Sequence, residues 1–284
     1  MNKRCNRWSG INRLHLILSA TLILCLCFSF LGTGWIASAA QMPEIQRRGY
    51  LKIAVKDNLR PLGFRDANGN LQGLEIDLAK RLAVDLLGKA DAVKMQPVAN
   101  SDRLRVVLEK KVDLAIARVT ATESRSRLVN FSVPYYFDST SFVTSNASIQ
   151  ELRNLAKRKI AVLNNSSTIA QVRYFIPTAE LVGVNSYTEA RSLIESNSAD
   201  AFAADTSILS GWVQEYPEYR LLQTKLSTFP LSVVMPKGLQ YDELRRRVNN
   251  AIARYIESGW LKERTQYWGV GDAPYSSQEE TTDN

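Results

Sequence analysis

Two hydrophobic patterns divide the chain. The first forty positions hold one long apolar run, whereas the remainder alternates short apolar runs with stretches whose apolar residues recur every three or four positions. Leu51–Val55 (LKIAV) predicts a buried strand; a polar loop from Lys56, a short strand at Gly63–Arg65 and a turn at Asn68-Gly69-Asn70 follow. Leu78, Leu82 and Leu86 fall on one face and predict a helix that Gly88 stops. The cycle repeats as a strand over 92–97, a helix over 102–109, a strand over 112–117 and an extended segment over 130–136. A short helix over 149–156 is expected next. A second cycle follows, with strands at Lys159–Leu163, Glu180–Val184 and 199–203, a helix ending near Phe175 and another over 188–195. Residues 228–236 read as extended, and 241–258 as a basic amphipathic helix with Leu244, Val248, Ile252 and Ile256 near one stripe, before a short helix over 261–267. Strands alternating with helices predict an α/β protein with mostly parallel sheets flanked by helices.

The leader has its own chemistry. Lys3, Arg4, Arg7 and Arg13 precede the apolar run from Leu14 to Phe30, and Ala37-Ser38-Ala39-Ala40 closes the segment, which is the pattern of a secretory signal peptide cleaved near 39–40. Because the run continues through Trp35 and Ile36, an uncleaved anchor is the alternative. Neither Cys25 nor Cys27 follows a small residue, so a lipid anchor is not expected.

This partition constrains function. Cys5, Cys25, Cys27 and the single histidine, His15, all lie in the leader, so the mature part has no disulfide, no Cys or Ser-His nucleophile and no His- or Cys-ligated metal; no cofactor is expected. Of the formal charge of +8, the four leader cations account for half, and the mild excess that remains hints at anionic partners without the clustered basic and aromatic pattern of a nucleic-acid binder. The chain has 284 residues and is 45% hydrophobic, enough for one or two α/β domains, and the apolar-free end of the tail 271–284 is expected to be disordered.

In open α/β sheets the ligand sits beyond the carboxyl ends of the strands, so the loops there hold the candidate residues. Lys56 follows the first strand and, alone, fits a solvated surface charge as well as a ligand contact. Arg103 is expected in the first turn of a helix capped by Ser101 or Asp102, where the dipole disfavours a cation by about 0.3–1 kcal/mol, which suggests another duty. In the loop from Ala117 through Arg118 and Thr120 to Arg125, free N–H groups, threonine hydroxyls and a guanidinium fork suit a carboxylate. The same stretch also reads as Thr122 capping a helical turn with Arg125 on its surface. In the second cycle Ser166 and Ser167 open a helix and Asp205 follows a strand; each also reads as a cap or turn residue.

Together these loops resemble the periplasmic polar-amino-acid-binding proteins of ABC transporters, solute-binding protein family 3, over 45–269. The resemblance rests on Gly73-Leu74-Glu75-Ile76-Asp77-Leu78-Ala79 (family GF-D-DLA), on Val112-Asp113-Leu114 with Thr120-Ala121-Thr122-Glu123-Ser124-Arg125 (VDL, then T-T-ER), and on Phe131-Ser132-Val133-Pro134-Tyr135-Tyr136 (FS-PYY). It implies a two-lobed fold that closes on its ligand, with lobe 1 at 41–140 plus 234–270, lobe 2 at 141–233 and hinge crossovers near 141–145 and 228–233. By position, Arg125 would grip the ligand α-carboxylate with Thr120 beside it, Asp205 would accept the α-ammonium from the other lobe, and Ser166 and Ser167 would complete the contact loop. Asn165 stands where the family has glycine.

Lys56 and Arg103 match the members that bind glutamate or aspartate, and Asn100 replaces the aromatic platform of glutamine binders. Arg118 departs from the family's small residue or threonine: either it is a third cation for the distal carboxylate, or it narrows the pocket to a shorter ligand. With Arg125 and Asp205 neutralising the zwitterionic head, Lys56 and Arg103 remain uncompensated. Like charges about 6 Å apart at an effective dielectric of about 20 repel by about 3 kcal/mol, which an acidic side chain relieves. The resemblance thus implies a monomeric, non-enzymatic periplasmic receptor that hands an acidic amino acid to a membrane permease. Two alternatives share the architecture: a dehydratase acting on an amino-acid precursor, which needs a general acid beside the ligand, and a sensor domain held by an uncleaved leader.

Overall fold

A computed structural model of the chain describes residues 41–164 and 166–270. The expected leader, the tail and Asn165 fall outside them. Helix α1 (Met42–Arg48) leads into β1 (Leu51–Val55), the small strands β2 (Asn58–Leu59), β3 (Gly63–Arg65) and β4 (Leu71–Gln72), helix α2 (Leu74–Leu87) and β5 (Val93–Pro97). Next come α3 (Arg105–Leu108), β6 (Leu114–Ile116), α4 (Glu123–Ser126), β7 (Asn130–Phe131) and the nine-residue β8 (Tyr136–Thr144). The second cycle comprises β9 (Lys159–Leu163), α5 (Thr168–Phe175), β10 (Glu180–Val184), α6 (Tyr187–Glu195), β11 (Ala201–Asp205), α7 (Thr206–Glu215), β12 (Arg220–Leu221) and β13 (Thr228–Leu231). The chain then returns through β14 (Val234–Met235), α8 (Asp242–Glu257) and α9 (Trp260–Tyr267).

Two sheets form the two lobes. The first has the order β5-β1-β6-β14-β7, and the second β10-β9-β11-β8-β12. Strand β1 runs parallel to both β5 and β6, and β9 runs parallel to both β10 and β11, while β14 and β8 join antiparallel. The near-continuous apolar run LKIAV reflects burial on both faces: Leu51, Ile53 and Val55 pack with Leu78 of α2 and Val248 of α8, while Ala54 faces Val106 and Val107 on the opposite side. The motif aspartate Asp113 has an internal duty. Fully buried, it accepts the Lys52 backbone N–H at 2.8 Å and pairs with Arg48, tying α1 to β1.

The crossovers form one ribbon. The first half of β8 pairs antiparallel with β13, Tyr136 opposite Leu231 and Ser139 opposite Thr228, and its second half already belongs to the lobe 2 sheet, with Thr140 opposite Asp205. The first crossing therefore lies upstream of the expected 141–145. Its run of hydroxyl residues looks like a linker, but Ser139, Thr140 and Ser141 are buried. Their hydroxyls are paired inside: Ser139 Oγ lies 2.7 Å from Thr206 Oγ1, and Ser141 Oγ donates to the Leu222 carbonyl at 2.8 Å.

Two helical expectations change and one helix is new. The helix over 149–156 is a 3-10 turn at Leu152–Leu155, the helix over 102–109 shrinks to α3, and α7 was not foreseen. Helix α7 starts directly from Asp205 at the end of β11, so strand and helix share one corner of the lobe interface.

Candidate functional site

Between the two sheets lies a cleft of about 580 Å³, within the range of small-molecule sites. Lobe 1 contributes Arg103, Arg118, Thr120 and Arg125, and lobe 2 contributes Ser166, Ser167 and Asp205. Seven of the eight expected residues thus meet on one cavity, because each stands at or beyond the carboxyl end of a strand whose sheet faces the other lobe.

The eighth does not. Lys56 is only 4% exposed, and its ammonium donates to the Val98 carbonyl at 2.8 Å instead of lining the cleft. The next strand end captures it. Burial, followed by the nearby Arg103 guanidinium, depresses its pKa.

Backbone oxygens hold the guanidinium groups of Arg125 and Arg103. Arg125 donates to the Thr120 carbonyl at 2.9 Å, and its own N–H donates to Thr122 Oγ1 at 3.3 Å, so Thr122 caps this turn while Arg125 lines the cleft. Arg103 stands just before the N-cap of the four-residue α3 instead of in its first turn. Its guanidinium donates to the carbonyls of Asn100 at 3.1 Å and Ala117 at 3.1 Å, and to that of Arg118. Burial first, then the charges of Arg118 and Arg125, push its pKa down.

Arg118 crosses the cleft. Its backbone adopts φ 51, in the left-handed region, and its guanidinium pairs with Asp205 of the opposite lobe, with Nε 3.8 Å from Asp138 Oδ2. Asp138, fully buried in β8, accepts Ser139 N–H at 2.9 Å, Ser207 N–H at 3.1 Å and Ser207 Oγ–H at 2.5 Å. Sequence reasoning missed Asp138. Its one legible signal was an acid in an otherwise apolar and hydroxyl stretch.

Glu75 was also missed as a site residue, although it stands inside the quoted motif. Gly73, at φ 124, lets the chain pass so close to the loop before it that a Cβ there would lie 2.3 Å from the Leu62 carbonyl oxygen. The following turn seats Glu75 at 0% exposure, where Oε1 accepts the Arg118 N–H at 2.6 Å and the Tyr135 hydroxyl at 2.5 Å. Its Oε2 accepts no hydrogen bond among the described residues. Burial raises the Glu75 pKa, against smaller opposing contributions from Tyr135 and Arg118. Glu75 thus stands behind the Arg118 backbone and does not line the cleft.

A pH experiment follows from Glu75. Unfolded, its carboxyl titrates near the ordinary value of 4.5, and folded it titrates higher. Between the two values the native state holds more protons than the unfolded state, so ∂ΔG/∂pH is negative. The stability present below 4.5 is lost as pH rises through the folded pKa. In thermal unfolding at a series of pH values, the wild-type protein is expected to lose stability through this window relative to Glu75→Gln. Parallel curves for the two proteins would remove Glu75 as the cause.

The architecture defines a class: a two-lobed periplasmic-binding-protein fold with a polar, cation-rich cleft between its lobes. The chain belongs to the bacterial extracellular solute-binding proteins, family 3, whose family description matches residues 51–271. It is 25% identical over 257 residues to the ABC transporter glutamine-binding protein GlnH of Bacillus subtilis (strain 168), covering 88% of this chain and 93% of that one. Among solved structures, the L-cysteine solute receptor of Neisseria gonorrhoeae aligns with TM-score 0.65 and 28% identity, over 80% of this chain and 93% of that one. The ancestral amino acid-binding protein AncCDT-1, described as a precursor of cyclohexadienyl dehydratase, aligns with TM-score 0.64 and 26% identity, over 80% and 99% respectively.

Proposed function

We propose that this protein is the extracytoplasmic receptor of an ABC transporter and that it captures an acidic amino acid, glutamate or aspartate, between its lobes for delivery to the membrane permease. One observation carries the reading: Arg103, Arg118 and Arg125 converge from lobe 1 on a cleft whose single acid among the described lining residues is Asp205 from lobe 2. In this reading Arg125, with Thr120, takes the α-carboxylate and Asp205 the α-ammonium, while Ser166 and Ser167 offer hydroxyls from the second lobe; all five line the cleft. The two remaining guanidinium groups then favour a ligand with a second carboxylate. Lys56 is left out of this pocket, because it is buried against the Val98 carbonyl and does not line the cleft. The relatives' glutamine and cysteine ligands make an amino acid the natural class, and the cation excess together with Asn100 at the cleft wall supports the acidic choice.

Export to the periplasm by cleavage near 39–40 and action as a monomer belong to the same proposal, and mass spectrometry of the secreted protein's N-terminus tests the cleavage. Lobe closure would signal occupancy to the permease.

A thermal-shift screen of the twenty amino acids tests the ligand. Glutamate or aspartate at about 100 times its dissociation constant is expected to stabilise the protein by about 2.7 kcal/mol, with neutral and basic ligands giving less. Hits confined to arginine or lysine would refute the charge argument. Turnover of prephenate or arogenate would replace the receptor by a dehydratase.

A further inference from the structure

The Arg118–Asp205 pair raises a question of competition. Asp205 is the one carboxylate lining the cleft among the described residues, so it is the acceptor available to a ligand ammonium, yet a cation of the protein already holds it from the opposite lobe. Arg118 is at the same time anchored at its backbone, since its N–H is bound to buried Glu75. Its φ of 51 is a conformation that costs a non-glycine residue about 1 kcal/mol or more, so this side chain sits here against the local backbone preference.

A ligand ammonium on Asp205 competes with the Arg118 guanidinium for that carboxylate, and the repulsion between two cations on one acid favours release of the guanidinium. The released group stays within a cleft that also holds Arg103 and Arg125. The nearest other acid, Asp138, already accepts bonds from Ser139 and from the backbone and hydroxyl of Ser207, and faces Arg118 only across 3.8 Å. A neutral amino acid therefore leaves a half-buried guanidinium poorly paired, whereas a ligand with a distal carboxylate supplies a replacement partner.

We propose that Arg118 is the residue that sets selectivity for acidic over neutral amino acids, by exchanging Asp205 for the distal carboxylate of the ligand as the ligand ammonium takes Asp205. This rests on the reading of the cleft as an amino-acid site. The receptor carries its own counter-cation, and only a ligand that brings both an ammonium and a second anion re-pairs every charge. The discrimination then lies in an exchange of partners, and Lys56 has no part in it.

The test is calorimetric titration of protein produced from the full-length chain, wild type and Arg118→Gly, with L-glutamate and L-glutamine. Glycine accepts the positive φ at this position, so the substitution relieves the backbone. Arg118→Gln, which keeps much of the side-chain volume and removes the charge, is the second variant should the first fold poorly. Wild type is expected to bind glutamate more tightly than glutamine. In both variants glutamate affinity is expected to fall about tenfold or more while glutamine affinity rises, because Asp205 is freed for the ammonium. Equal losses for the two ligands would overturn the inference and reduce Arg118 to a strut between the lobes; an unchanged ratio would overturn it too, as would a wild-type preference for glutamine, each with the amino-acid reading intact. A wild-type protein that binds neither these ligands nor any other amino acid would remove the reading itself.

Discussion

Arg125→Ala is expected to abolish measurable binding of every amino acid, acidic or neutral, under conditions where the wild-type protein saturates. The guanidinium is positioned before any ligand arrives, by its bond to the Thr120 carbonyl and by the Thr122 cap that fixes the turn carrying it. Little conformational entropy is then lost when it forks onto a carboxylate. Truncating one partner of such a charge-assisted pair costs about 2–5 kcal/mol, or about thirty- to several-thousand-fold in affinity. The α-carboxylate is common to all amino acids, so the loss should be uniform across the screen, in contrast to the ligand-dependent change expected at Arg118. Arg125 is half-buried at the cleft, and α4, which carries it, has no buried residue, so unfolding of the free protein should shift by well under the binding loss. Calorimetric titration beside urea unfolding separates the two. Retained affinity for any amino acid, within about threefold of wild type, would show that another group holds the carboxylate.

Gly211→Ala is expected to weaken binding about tenfold or more while leaving the ligand-free protein as stable as before, or more so. Gly211 lies in α7 of lobe 2, and a Cβ built there would stand 2.3 Å from the Arg60 carbonyl oxygen and 3.3 Å from Pro61 Cδ, both in lobe 1. The obstacle is backbone, so it cannot swing aside, and the lobes must separate to accept a methyl group. Close by, Gln214 of the same helix donates to the Trp268 carbonyl at 2.9 Å, a hydrogen bond across the lobe interface that separation would break. Within lobe 2 itself alanine is the better helix former by about 1 kcal/mol, so the local effect has the opposite sign to the effect on closure. Each 1.4 kcal/mol added to the cost of closing raises the apparent dissociation constant about tenfold. Small-angle scattering provides the independent readout: wild type is expected to contract on saturation with ligand, and the variant to contract less. Wild-type affinity together with wild-type contraction would show that the helix does not dock on this loop during closure.

The sequence carried a good part of this site because a strand end is a local feature. LKIAV, Lys159–Leu163 and Glu180–Val184 have the same bounds in sequence and structure, since a short apolar run between polar loops marks a strand whether it is central, like LKIAV, or an edge strand, like Glu180–Val184. The loops after such strands follow from the strands themselves, and the resemblance to the family singled out Arg103, Arg118, Thr120, Arg125, Ser166, Ser167 and Asp205 within them; all seven line one cleft. Helix α7 was missed although Asp205-Thr206-Ser207 before Ile208 and Leu209 is an acceptable helix start. The hydroxyls and the small residues around Gly211 diluted its apolar period.

What the sequence determined by itself was therefore the alternation of strands and helices, the polar loops that end the strands and the excess of cations in them, because each is set by residues near one another in the chain. The tertiary structure alone decided which of those charges meet. Val98 captures Lys56 from a neighbouring strand, Arg118 reaches an acid on the other lobe, and Asp138, Glu75 and Gly211 matter through partners from 43 to 151 positions away. A charge is satisfied by whatever lies within a few ångströms of it, and in a chain that crosses twice between lobes that neighbour is chosen by the fold, not by the spacing of residues.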